Sequence, residues 1–119
     1  MNDLVLWFDA RCPTSRRALE LLRGRGLEPA LRRILEEPPT PAELAGVAAR
    51  LGVSAHALCR TGEDEYQVLR LSPRTPEHDL LDALARHPRI VERPILVSGT
   101  RAVVARPAER VLELLVPAS

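Results

Sequence analysis

One of the two cysteines, Cys12, stands where a thiol becomes reactive. Before it runs Leu4-Val5-Leu6-Trp7-Phe8, an apolar stretch that reads as a buried strand. After it, Ala18, Leu21 and Leu22 recur at i, i+3 and i+4, with Arg16, Arg17, Glu20 and Arg23 on the opposite side, the pattern of an amphipathic helix. Cys12 therefore falls in the turn between a strand and a helix. Pro13 fits the helix entry, and Thr14 or Ser15 is expected to cap it. The N–H groups of a first helical turn have no partner within the helix, and they share that end with the positive pole of the helix dipole. Both favour an anion, and a thiolate is one, so the position should lower the pKa of Cys12 and make it nucleophilic. Arg11 and Arg16 push the same way. A free cysteine can equally be a small inert core residue, but the turn and its arginines favour the reactive reading.

The other groups carry less chemistry. Cys59 is expected to be a buried helical cysteine, with a role as resolving thiol for Cys12 as the alternative. His56, His78 and His87 show no ligand spacing with the cysteines, so no metal site is expected, and His87 suits the negative end of its helix. Glu63-Asp64-Glu65 reads as a solvated acidic loop.

The chain has 119 residues, one domain with an aliphatic core, since Trp7, Phe8 and Tyr66 are the only aromatics. A formal charge of +1 gives no bulk attraction to nucleic acid or to a membrane surface. No apolar run reaches spanning length, and no signal peptide is read at the start. Two distant cysteines make no disulfide framework, so a reducing, cytoplasmic setting is expected. All seventeen basic residues are arginines. GC-rich coding accounts for that first, yet arginine is also the better oxyanion holder, because its planar fork meets two oxygens at once.

The elements that position Cys12 follow in order. A strand is expected over about 3–8, a helix over about 15–25 ended by Gly24 and Gly26, and a second strand over 27–34, giving a parallel pair with a crossover. Thr40-Pro41-Ala42-Glu43 is a capping box with proline at the first helical position. Leu44, Val47, Ala48 and Leu51 form a helical stripe closed by Gly52. Ser54 opens a short helix through Arg60, residues 61–65 are read as a loop, and Thr75-Pro76 opens a helix carrying Leu80, Leu81 and Leu84. Positions 40–87 are thus wholly helical. Val91–Val97 and Arg101–Ala105 read as antiparallel strands around Ser98-Gly99-Thr100. Pro107 opens a last helix with Val111, Leu114 and Leu115 on one face. This order resembles a thioredoxin-like α/β domain: a four-stranded mixed sheet with an all-helical insertion between the second and third strands, as one domain over 1–119. In that fold a reactive cysteine follows the first strand and a cis-proline opens the third, the places of Cys12 and Pro94.

The resemblance sharpens on particular segments: Cys12 with Thr14-Ser15-Arg16, residues 36–44, Leu51-Gly52-Val53-Ser54 with Ala57-Leu58 and Arg60, His87-Pro88, Arg93-Pro94-Ile95 and Arg106-Pro107. Over nearly the whole chain they resemble the glutaredoxin-dependent arsenate reductases. That resemblance implies a cysteine, here Cys12, that attacks arsenate and forms a thiol–arsenate ester, with Arg60, Arg93 and Arg106 holding the oxyanion. It further implies glutathione as reductant, glutaredoxin as partner, and no metal or bound cofactor; a monomer is expected. A compact multiply charged anion needs both a nucleophile and several fixed donors. Family members commonly carry histidine at the place of Phe8, asparagine at that of Asp9 and glycine at that of Pro13. Phe8 cannot assist ionisation, and Asp9 is expected to oppose both the thiolate and the anion. Two alternatives follow: a thiol-disulfide or deglutathionylating protein working through Cys12 alone, or a redox-sensing transcription regulator binding RNA polymerase, for which Ser15 removes the usual second cysteine.

Overall fold

The computed structural model describes residues 3–115. The chain forms two compact units, one from the chain up to Ile34 and from Arg93 onward, the other from Leu35–Glu92.

The first unit is built on a four-stranded sheet. Strand β1 (Val5–Phe8) pairs in parallel with β2 (Ala30–Arg33), and on its other side antiparallel with β3 (Ile95–Val97), which pairs antiparallel with β4 (Ala102–Val104). The order β2-β1-β3-β4 puts β1 inside the sheet, which suits its unbroken apolar run. Leu6, Leu96 and Val103 are register partners across three strands. Their face, with Phe8, packs on Ala18, Leu19 and Leu22 of helix α1 (Pro13–Gly24) and on Ala108 and Val111 of a 3-10 helix at Ala108–Leu115. Trp7 and Ile95, partners on the opposite face, are buried as well. Strand β2 is shorter than the expected 27–34 and exposed at both ends, consistent with its weak alternation as an edge strand.

The second unit is helical: α2 (Pro41–Leu51), a 3-10 turn at Ala55–Leu58, α3 (Asp64–Val68), α4 (Glu77–Arg86) and a 3-10 turn at Pro88–Ile90. Thr40 and Glu43 close the expected capping box, each side chain bonding the other's backbone N–H at 3.1 and 2.9 Å. Leu44, Val47 and Ala48 of α2 are buried, as are Leu80 and Leu84 of α4, whereas Leu81 lies only partly covered. Part of the expected loop at 61–65 belongs instead to α3. Its one buried side chain, Tyr66, anchors five residues, too few to leave a periodic signal. The acidic run is not simply solvated either: Glu65 meets His87 at 3.0 Å and Arg89 at 3.7 Å, and Glu63 meets Arg60. His56 bonds the Tyr66 hydroxyl at 2.8 Å, and His78 is exposed beside Asp79.

Candidate active site at the start of the first helix

The site is organised by residues 8–16. Strand β1 ends at Phe8, and the chain turns at once, with the Cys12 N–H donating to the Asp9 carbonyl at 3.0 Å. Proline at position 13 drives the residue before it into extended backbone. Cys12 has φ −88° and ψ 117°, so it is itself the N-cap residue of α1, with Pro13 at the first helical position. This corrects the expectation that Thr14 or Ser15 caps the helix. Those two residues occupy the first turn, where their backbone N–H groups have no intrahelical acceptor. The Arg16 N–H closes the first helical bond to the Cys12 carbonyl at 3.1 Å, and Arg16 Nη1 donates to the Ala10 carbonyl at 2.9 Å, tying the loop to the helix.

The sulfur is half-buried. Burial alone would raise the thiol's pKa. The Ser15 N–H and hydroxyl, the Thr14 N–H and the Arg106 guanidinium together outweigh that, and the net shift is downward. The Ser15 side chain is completely buried, and its oxygen also accepts the Asp9 N–H at 3.4 Å.

Two arginines reach this loop from the far end of the sequence. Arg106 Nη1 donates to the Arg93 carbonyl at 2.9 Å and lies 4.0 Å from Cys12 Sγ. Arg93 is buried, and its Nε faces Asp9 Oδ2 at 3.4 Å. Both arginines precede cis peptide bonds, Arg93–Pro94 and Arg106–Pro107; the second was not anticipated from the sequence. The Asp9 carboxylate, expected to be an opposing charge, lies within this cluster, facing Arg93 and also accepting the Arg11 N–H at 3.0 Å. Cys12, Ser15, Asp9, Arg93 and Arg106 are thereby brought together. Phe8, buried at the end of β1, carries the Arg33 guanidinium over its ring at 5.6 Å.

Arg60 belongs to the second unit. There it lines a shallow cleft with Gly62, Glu63 and Glu92, and its guanidinium lies 3.8 Å from Glu63 and 3.7 Å from Glu92. Cys59 is buried beside it, and burial, then the Glu92 carboxylate, push its thiol up to about 11. A thiol held neutral in this way is a poor attacking group. Among the described residues no group of three His, Cys, Asp or Glu is placed to hold a metal ion, and no helix is long and apolar enough to cross a membrane.

Comparison with known proteins adds an independent line. The model of the ArsC family matches residues 8–114. An arsenate reductase of Escherichia coli is 36% identical over 116 residues, covering 97% of this chain and 82% of that protein. One from Neisseria meningitidis is 36% identical over 117 residues, covering 97% of this chain and all of its own length. The solved structure of an arsenate reductase from Vibrio cholerae superposes with a TM-score of 0.89 at 35% identity, covering 92% of this chain and 95% of the other.

Proposed function

Because the chain belongs to the ArsC family, a family of thioredoxin-like fold, we propose that it is an oxidoreductase that reduces arsenate to arsenite through Cys12. The observation that carries this reading is the sulfur at the start of α1, with Thr14 and Ser15 N–H groups, the Ser15 hydroxyl and Arg106 all favouring its ionised form. An ionised sulfur is the nucleophile the reaction needs, and a guanidinium beside it suits an oxyanion.

The Cys12 thiolate attacks arsenic of dihydrogen arsenate and forms an S–As bond. One arsenate oxygen leaves as water after taking up a proton. Arg106 offsets charge on the bound anion once the thiolate has become part of the adduct, and Arg93, its own charge met by Asp9, is a further anion-holding arginine on the family resemblance. Glutathione then attacks the Cys12 sulfur of the adduct. The S–As bond breaks with its electron pair on arsenic, reducing As(V) to As(III), and the glutathione proton goes to the departing arsenite. The protein retains a Cys12–glutathione disulfide. Glutaredoxin exchanges it with a second glutathione, which restores the thiol. No metal or bound cofactor enters these steps, and glutathione with glutaredoxin places the reaction in a reducing compartment such as the cytoplasm. Arg60 enters as a third anion-holding arginine on the family resemblance alone, and Thr14, Ser15 and Arg16 hold the loop that presents the sulfur.

The test is arsenite production with glutathione and glutaredoxin supplied. Cys12→Ser should abolish turnover. Arg106→Ala should lower kcat/KM by about 10²–10³-fold, the scale of losing one preorganised donor to developing charge. Arg60→Ala should raise KM for arsenate. Turnover that survives Cys12→Ser overturns the reading, as does a parent protein that carries glutathione on Cys12 yet forms no arsenite.

A further inference from the structure

Asp9 makes four contacts around the sulfur's loop. Its N–H donates to Ser15 Oγ, its carbonyl accepts the Cys12 N–H, Oδ1 accepts the Arg11 N–H, and Oδ2 faces Arg93 Nε. The last is not a surface pair. The Arg93 side chain is 6% exposed and that of Asp9 11%, so water screens the two charges far less than it screens the exposed pairs of α1, such as Arg17 with Glu20.

Several charges surround the sulfur. Arg93 and Asp9 cancel. Arg106 faces the Cys12 thiolate, and these two cancel. Arg11 and Arg16 are exposed, with Arg16 bound to a backbone carbonyl, and their charges are screened by solvent. An anion entering beside Cys12 therefore meets a neighbourhood already near neutrality, with the Asp9 carboxylate fixed within it.

We propose that Asp9 is a specificity-determining residue of this site: by cancelling the Arg93 charge, its carboxylate tunes the site to singly charged tetrahedral anions and against doubly charged ones of the same shape. The inference rests on the reading of the Cys12 loop as an oxyanion site. It follows from Coulomb's law. Repulsion from a fixed carboxylate scales with the charge of the ligand, so removing that carboxylate changes a dianion's binding constant by the square of the factor for a monoanion.

Perchlorate and sulfate are tetrahedral probes that differ in charge, and neither requires turnover. The readout is protection of Cys12 from alkylation by iodoacetamide at constant ionic strength, each protein compared with itself without the anion. In the unaltered protein perchlorate should protect at a lower concentration than sulfate. Asp9→Asn keeps an oxygen for the Arg11 N–H and removes the charge; there perchlorate should protect about threefold better than before and sulfate about tenfold better. Asp9→Ser, a smaller neutral variant, serves if Asp9→Asn does not fold. Sulfate protecting the unaltered protein at tenfold lower concentration than perchlorate overturns the proposal, as does an equal gain for both anions in the variant. Protection by neither anion in any of the proteins overturns the oxyanion reading together with it.

Discussion

At the scale of single residues, the two cysteines sit in opposite environments, and both follow from their neighbours. Cys12 is solvated by the dipoles of a helix start, while Cys59 is enclosed and faces a carboxylate. Alkylation should separate them. Cys12 should react at neutral pH, with a rate that rises through a pKa below that of an ordinary thiol, because only the thiolate attacks. Cys59 should stay unmodified until the protein is unfolded. Ser15→Ala should shift the Cys12 profile to higher pH, since its hydroxyl is among the groups that hold the thiolate; an unmoved profile would remove Ser15 from that role. The turn between strand and helix made Cys12 legible in the sequence, since a local pattern fixed its surroundings. The partners of Asp9 were not legible, because Arg93 lies 84 positions away and reaches it only once β1 and β3 pair. A carboxylate read alone predicts repulsion only; beside a buried guanidinium it also cancels a charge that would otherwise draw the anion in.

Among the elements, three helices end in the same way. In α1, α2 and α3 the residue two past the last helical turn donates back across six residues: Leu27 to Leu22, Val53 to Ala48 and Leu71 to Tyr66. The residue before it takes a left-handed backbone, at Gly26, Gly52 and Arg70, with φ of 76°, 70° and 55°. This is the Schellman motif, and glycine adopts its left-handed position without strain. The two glycines announced their helix ends in the sequence. Arg70 announces nothing, and with no capping box either, the expected loop at 61–65 runs into the start of α3. An arginine there bears a steric cost that glycine avoids, partly offset by glycine's greater freedom in the unfolded chain. Arg70→Gly should therefore stabilise the protein by about 0.5–1 kcal/mol, while Gly52→Ala should destabilise it by about 1 kcal/mol. The capping box of α2 gives the opposite check: Thr40→Ala should cost about 1 kcal/mol. Urea denaturation midpoints measure all three.

For the whole molecule, the succession of elements and the helical second unit were readable because each element carried its own period and its own end signals, and the mixed sheet followed from the resemblance of that succession to a thioredoxin-like domain. The boundaries were less so, β2 above all, since a half-exposed edge strand does not alternate cleanly. Stability at high pH belongs to this scale, because Cys59 is buried only in the folded chain. Its folded pKa of about 11 exceeds the unfolded value near 9. The contribution is therefore fully present below pH 9 and is lost as pH rises from 9 through 11, where the unfolded chain releases a proton that the folded chain keeps. Unfolding free energy should fall by about 1–2 kcal/mol over that window. Cys59→Ala, whatever its cost at neutral pH, should flatten that part of the profile. A parallel decline in the variant would assign the loss to other groups.

The chain has one tryptophan and one tyrosine, and they fall in different units: Trp7 in the inner strand of the first, Tyr66 against His56 in the second. Trp7 emission, excited on the long-wavelength edge where tyrosine does not absorb, reports on the sheet that carries the reactive sulfur. The near-ultraviolet band of Tyr66 reports on the helices. A single denaturation series thus follows both units without any attached dye, and the match between its two curves measures how far they melt as one.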